Sequence, residues 1–468
     1  MSLERQSMAF VGAWSALAYK ELRSRCVWKP QNLSVGTKSI PVHDAPQSAG
    51  QWRALKAWQC RLNADGDDGP ATLFIVRLGS VDGRPVQVQH GSWHSWQVHL
   101  ELPKELASAD HGVSLSSLHH WPVFEDGSYA TWPPIHNHHS VLMGLGSAIK
   151  ARTAWIGADV RAKQSAQSFL TMYKTGTGTS GSDSMYVDND SAGIHKYFPP
   201  GHAWIVSDQF TANLLINDVR PRNATSGPLP TWYEVGYRIF KPLQRQMLRE
   251  VHVVSYYMKP TQDWALRENN VGGVRWRNAP KTPEGYINKT YATFALPQHR
   301  PSVYVREQAW PAAGQIVGET WHSHHHFTDE GFVFRGSFST LLDSLGYKNA
   351  TYAPVALTKG SLESAKAAIL QAVANSKDVE LLCRYIPHRA KAVVEPGMLP
   401  QWYDRAARPA GGSCAVQGYR VRRGEVFSVA CFNRVFVDVQ ELQSVQQPQQ
   451  HCDWYAWFAP DKAKAHAH

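Results

Sequence analysis

Trp321-His322-Ser323-His324-His325-His326-Phe327 packs four histidines into five residues between two aromatic rings. On a strand, residues of the same parity share a face. His322, His324 and His326 then line one side, and His325 turns the other way with Trp321 and Phe327. Two imidazoles at i and i+2 reach a single metal ion without distorting the backbone, and neutral imidazole suits copper, zinc, iron or nickel. A histidine-rich surface turn and an adventitious chelate are the competing readings of the same run. The rest of the chain decides between them.

Working outward, the pattern is that of an all-β protein. The 11% aromatic content with 18 tryptophans favours strands over helices. Ala71 to Leu78 reads as a buried strand, Trp96 to Leu102 alternates, and Ile135 to Gly146 looks like a loop feeding a buried strand. Ala212 to Ile216 and Trp232 to Phe240 continue the pattern. It lapses around 241–249 and resumes with Val251 to Tyr257, Ser302 to Arg306, Phe332 to Phe338, Val426 to Phe436 and Trp454 to Phe458. One helix interrupts the second half, with Ser361 as N-cap and Leu362, Ala365, Ile369, Leu370 and Val373 on one stripe. A chain of 468 residues exceeds what one core usually supports. The expectation is two tandem β-sandwich or jelly-roll domains, 26–245 and 246–462, with a short helical insertion in the second. Residues 1–25 are expected as a candidate signal segment or disordered leader.

The net charge of +10 is spread along the chain without basic runs interleaved with aromatics, which argues against nucleic acid. No stretch approaches the ~20 apolar residues of a transmembrane span. The six cysteines, Cys26, Cys60, Cys383, Cys414, Cys431 and Cys452, form no CxxC pair, which disfavours a zinc ribbon or thioredoxin-type site. Their spacing suits disulfides or a reduced chain alike. Glycosylation sequons at Asn32, Asn189, Asn223, Asn288 and Asn349 lean toward a secreted or lumenal protein. Gly176 to Gly181 spells GxGxxG, but neither a strong strand nor a helix flanks it, so it reads as a mobile loop.

A second histidine cluster, His136-Asn137-His138-His139, falls in the other expected domain. It is either a second metal site or a polar loop; His119-His120 reads as structural. Gly424 to Asn433 takes a turn into a strand carrying Cys431, and His451-Cys452-Asp453-Trp454-Tyr455 opens the next aromatic strand. Adjacent strands would bring Cys431 and Cys452 within disulfide range, or both are reduced core cysteines.

This order of motifs resembles the copper type II, ascorbate-dependent monooxygenases, the family of peptidylglycine α-hydroxylating monooxygenase and dopamine β-monooxygenase. His138 to Gly144 is similar to the family's paired-histidine segment, His322 to His325 to its HxHH segment, and Gly424 to Asn433 to its GDxLxxxCxY stretch. The resemblance runs from about Trp96 to Pro460 in motif order. It implies two jelly rolls facing a cleft, two copper ions, dioxygen and ascorbate as reactants, and hydroxylation of a C–H bond in a small-molecule or peptide substrate. His138 and His139 look like ligands of an electron-transfer copper, and His322 and His324 like ligands of an oxygen-activating one, with Cys431–Cys452 as the bridge.

The departures carry information too. Asn217 stands at the family's third N-terminal ligand, with His136 as a substitute. His451 replaces a methionine ligand; a third imidazole favours the oxidised metal or zinc where a thioether favours Cu(I). Tyr455 matches a substrate-side tyrosine, Asp453 replaces an asparagine, and Thr320 stands where the amidating enzyme has a carboxylate-gripping arginine. Peptide amidation is thereby disfavoured. Two rival readings stay open. One is a single-metal cupin, because Gly318, His324, His326, Glu330 and Gly336 come within one residue of its first motif. The other is a non-catalytic secreted scaffold.

Overall fold

The computed structural model describes residues 29–31, 36–39, 52–62, 71–88, 93–107, 112–130, 134–144, 184–188, 194–207, 209–218, 227–240, 248–257, 300–310, 312–323, 328–351, 354–358, 360–387, 409–434 and 452–461. Among the described residues the fold is all-β, built of three sheets. The largest has twelve strands. In spatial order its path is β1 (Lys29–Gln31), β3 (Trp52–Leu62), β4 (Ala71–Ser80), β13 (Leu229–Phe240), β7 (Gly112–Phe124) and β11 (His202–Ser207). It continues through β14 (Arg249–Tyr257), β23 (Cys452–Pro460), β16 (Gly314–Ser323) and β21 (Arg420–Val421). The short strands β5 (Val86–Val88) and β10 (Ile194–Tyr197) pair with β13 and β7. The second sheet orders β2 (Gly36–Ser39), β6 (Trp93–Glu101), β12 (Gln209–Asp218), β8 (Ile135–Gly144) and β9 (Ser184–Asp188). The third orders β18 (Val355–Ala356), β15 (Ser302–Ala309), β22 (Val426–Asn433), β17 (Thr328–Arg335), β19 (Glu380–Pro387) and β20 (Pro409–Cys414).

Strand alternation explains the layers. On β4, Phe74, Val76 and Leu78 enter the N-terminal core, while Leu73 and Ile75 join Cys60 in a small cluster on the other face. Trp96 of the second sheet stacks on Trp52 of the first at 4.4 Å and meets Tyr233 edge-on at 5.1 Å. In the C-terminal half, Tyr304, Val333, Phe427, Val429 and Cys431 pack one face of the third sheet against Ile316, Trp321, Trp454, Ala456 and Phe458 of β16 and β23. Its other face packs Val303, Val305, Phe332, Phe334, Ala430 and Phe432 against the helices α1 (Phe338–Ser344) and α2 (Leu362–Ala374).

The two halves share the large sheet. The short pairing of β11 with β14 is parallel and carries the sheet past residue 245. The opposite face of β16 and β23, with Val317, Trp457 and Ala459, belongs to the N-terminal core, where Phe198 lies 5.2 Å from Trp457. Arg249 donates to Gln315 Oε1 and to the Ala459 carbonyl across the same seam.

Three local expectations need correction. Residues 135–139 are the start of a strand, not a loop, because β12 supplies backbone partners along them, and β9 joins on the other side from His139 onward. The strand expected over Phe332 to Phe338 ends at Arg335, and Phe338 opens a second helix. Ser337 caps it, accepting from the Thr340 N–H. Cys431 and Cys452 do not lie on adjacent strands: β22 pairs with β15 and β17, whereas β23 pairs with β14 and β16. The two strands belong to facing sheets of the C-terminal sandwich. The GxGxxG stretch and the leader lie outside the described residues.

Candidate functional site

The two histidine segments lie on strands of different sheets, β8 in the second and β16 in the first. β16 carries Trp321 to Ser323 at its C-terminal end. Trp321 is buried, and its indole stacks on Tyr385 of the third sheet at 4.7 Å. It lies so close over Gly331 that a Cβ there would collide with the ring, which fixes glycine at 331. A Cβ on Gly318 would meet the Trp457 ring, so the 318 position faces the N-terminal half. Alternation then puts the 320 and 322 positions on that face, away from Trp321. The register pairs Thr320 with Tyr455, His322 with Asp453, and Ser323 with Cys452. Ser323 and Cys452 are the last paired residues of this strand pair; His324 is the next residue in the chain after Ser323, and His451 the one before Cys452. Both histidines themselves lie outside the described residues. Tyr455 is buried, on the same face as Trp457.

On β8 the backbone does something sequence parity alone forbids. Asn137 is fully buried and accepts from the Tyr233 hydroxyl at 2.7 Å, which fixes it as an inward position. β12 pairs Leu215 with His139 and Ile216 with Asn137, leaving His138 as the extra residue of a β-bulge. Two consecutive positions, 138 and 139, therefore oppose the single Leu215. His136 itself is in direct register with Asn217. His136 and Asn217 are thus cross-strand neighbours. β9 pairs His139 with Asp188 on the other edge, and β9 also lies against β16.

Among the described residues no group of three or more His, Cys, Asp or Glu side chains is placed to hold a metal ion. The candidate set, His136, His138, His139, His322, His324 and His451, lies outside the described side chains, as does that of Asp453. Two further histidines, His94 and His120, are buried in the N-terminal half. His120 is fully buried with Nε2 2.9 Å from the Tyr237 hydroxyl, and burial lowers its pKa to about 3. His94 is likewise lowered by burial, to about 4.

The cysteines also sort themselves. Cys383 on β19 and Cys414 on β20 stand directly opposite one another and are joined in a disulfide. Cys60 and Cys431 each belong to a further disulfide. The Cys383–Cys414 pairing was not legible in the sequence, because 31 residues separate the two and only the β19–β20 register aligns them.

Glu330, the carboxylate of the cupin-type motif, is committed elsewhere. Its Oε1 accepts from Lys366 Nζ and Arg384 Nη2, both at 2.9 Å, and its Oε2 from Arg384 Nε at 2.7 Å. Lys366, buried on α2, also donates to Asp329 at 2.6 Å. Burial pushes the Glu330 carboxyl up, but hydrogen bonds from Arg384 and Lys366 and their charges outweigh it and hold the pKa below the ordinary value.

No family model matches the chain, and no curated protein matches it. Among solved structures, the Faustovirus major capsid protein aligns with 92% of this chain and 90% of its own at 8% identity, with a TM-score of 0.14. A likeness at that score bears on neither fold nor function. Among the described residues, no helix is long and apolar enough to cross a membrane.

Proposed function

We propose that the protein is a secreted or lumenal, copper-dependent monooxygenase-like enzyme that hydroxylates a C–H bond of a small-molecule or peptide substrate with dioxygen and ascorbate. The observation that carries this reading is the position of β9. It is hydrogen-bonded to β8, the strand that carries the 136–139 segment, and it lies against β16, the strand that ends at the 322 segment. Two separate metal sites in one redox centre require such an approach of distant sequence.

In this reading His138 and His139, joined by His136 in place of Asn217, hold the electron-transfer copper, and the bulge explains how consecutive histidines serve one ion. His322, His324 and His451 hold the second ion at the end of the β16–β23 pair, with Tyr455 and Asp453 on the substrate side. Bound copper supplies dioxygen activation and single-electron transfer. An all-imidazole set at the second site shifts it toward the oxidised metal. Cys431 bonded to Cys452 ties β22 to β23 across the sandwich, next to His451. The jelly-roll form of both halves belongs to the same proposal. The cupin reading is weakened by Glu330, whose ion pairs with Lys366 and Arg384 leave no carboxylate oxygen uncommitted.

Metal analysis of protein purified without a histidine tag tests the proposal. About two copper ions per chain is the expected result, falling to about one in His322→Ala and His324→Ala with loss of ascorbate-dependent oxygen uptake. One iron, manganese or zinc ion would favour the cupin, and none the scaffold. Peptide mapping is expected to find Cys431 joined to Cys452; free thiols at both would count against the bridge.

A further inference from the structure

We propose that Asn349 is an N-glycan acceptor, presented on the exposed turn that follows α1. The proposal rests on the secreted or lumenal part of the reading above and on nothing at the histidine segments. Asn349-Ala350-Thr351 is one of the five sequons, and the one whose residues are all described. α1 ends in a Schellman turn: Gly346, at φ 93°, donates its N–H to the Asp343 carbonyl at 3.1 Å, and Tyr347 donates to the Leu342 carbonyl at 2.9 Å. Tyr347 and Ala350 are buried, and the Ala350 carbonyl accepts from the Val305 N–H of β15 at 2.9 Å. Between these two anchors Lys348 and Asn349 are exposed, and Thr351 is exposed just beyond the second.

Two explanations compete for the asparagine. Asn349 has a φ of 67°, the one positive value at a non-glycine among the described residues. Asparagine tolerates that left-handed region better than most side chains. Its backbone N–H donates to Asp343 Oδ1 at 3.3 Å, so the turn alone accounts for an asparagine there. The turn does not account for Thr351. That residue is exposed, and among the described residues its hydroxyl has no hydrogen-bond partner. The side-chain amide of Asn349 has none either. An accessible amide with a hydroxyl two residues on, in a surface turn, is the acceptor signature of Asn-x-Thr.

The step is a group transfer with no change of oxidation state. The donor is an oligosaccharide carried on a polyprenol pyrophosphate, supplied in the lumen of the secretory pathway. Asn349 Nδ2 forms a bond to the anomeric carbon of the sugar. The bond from that carbon to the pyrophosphate oxygen breaks, the lipid pyrophosphate leaves, and the amide loses one proton. The Thr351 hydroxyl is the group that the transferase reads beside the amide. Of the three sequon residues only Ala350 is buried, so a bulky glycan on Asn349 displaces no core side chain.

Expression of the full chain in eukaryotic cells, with and without an added cleavable secretion signal, tests this. Peptide-N-glycosidase in heavy-oxygen water leaves a labelled aspartate wherever a glycan was attached, and peptide mapping against an untreated sample locates it. In the signal-led chain, recovered from the medium or the lumenal fraction, label at position 349 is the expected result. Its loss is expected in Thr351→Ala, which keeps the asparagine and its turn, and in Asn349→Gly, which keeps the positive φ. Thr351→Ser is expected to retain it. An unlabelled Asn349 in the signal-led chain overturns the proposal, as does label that persists in Thr351→Ala. The chain without the added signal separates the two readings. If it stays in the cytosol while the signal-led chain is labelled at 349, the secreted reading falls and the acceptor stands. If it reaches the medium with Asn349 unlabelled, the acceptor falls and the secreted reading stands.

Discussion

His120 shows how one buried side chain sets a pH limit. It is fully enclosed, its partner is the Tyr237 hydroxyl, and burial holds its pKa near 3, well below the ordinary 6.5. The neutral form is the folded one, so this stability is present above about pH 6.5 and is lost as pH falls toward 3. Between pH 7 and 5 the loss is expected to be about 2 kcal/mol for this residue. Urea denaturation at both pH values checks it, and His120→Gln should flatten the dependence. Neither the adjacent His119 nor the sequence around it signals this: only the register that sets His120 beside Val235 and near Tyr237 does so. Gly331 makes the same point from the side of packing, since its lack of a side chain makes sense only under the Trp321 ring.

Among the elements, α2 was the most legible. Ser361 accepts from the Ser364 N–H as a cap should, and Ala365, Ile369 and Val373 are buried as the stripe predicts. Lys366 broke the pattern. Helical periodicity places it beside the buried stripe, but a lysine there reads as surface. It is in fact buried among Asp329, Glu330 and Glu363, which come from β17 and its own first turn. The carboxylates raise its pKa despite burial. Lys366→Met is expected to cost about 3–5 kcal/mol at neutral pH, because it leaves buried carboxylates short of a cation. Chemical denaturation should find that cost shrinking as pH falls below the ordinary glutamate value of 4.5, where protonation removes the charge that the lysine neutralised. The bulge in β8 was illegible for a related reason. Period-two reading splits His138 from His139, and only the β12 register reveals that one residue is extra.

At the scale of the molecule, the seam between the halves is a shared core, not a linker. Phe198→Ala and Trp457→Ala should each cost about 3–5 kcal/mol, and a double-mutant cycle should return a coupling of roughly 0.5–1.5 kcal/mol if the rings meet as the geometry has them. Additive effects would show that the two halves are stabilised independently. The sequence by itself determined the strand-rich class, most strand positions, the capped helix and the two histidine segments, because each rests on local periodicity and side-chain chemistry. Tertiary structure alone decided that Cys383 meets Cys414, that Glu330 is held by Lys366 and Arg384, that His138 is a bulge, and that β9 brings β8 toward β16. Each of these depends on which strands are neighbours and in what register, and long-range pairing leaves no periodic trace in the chain.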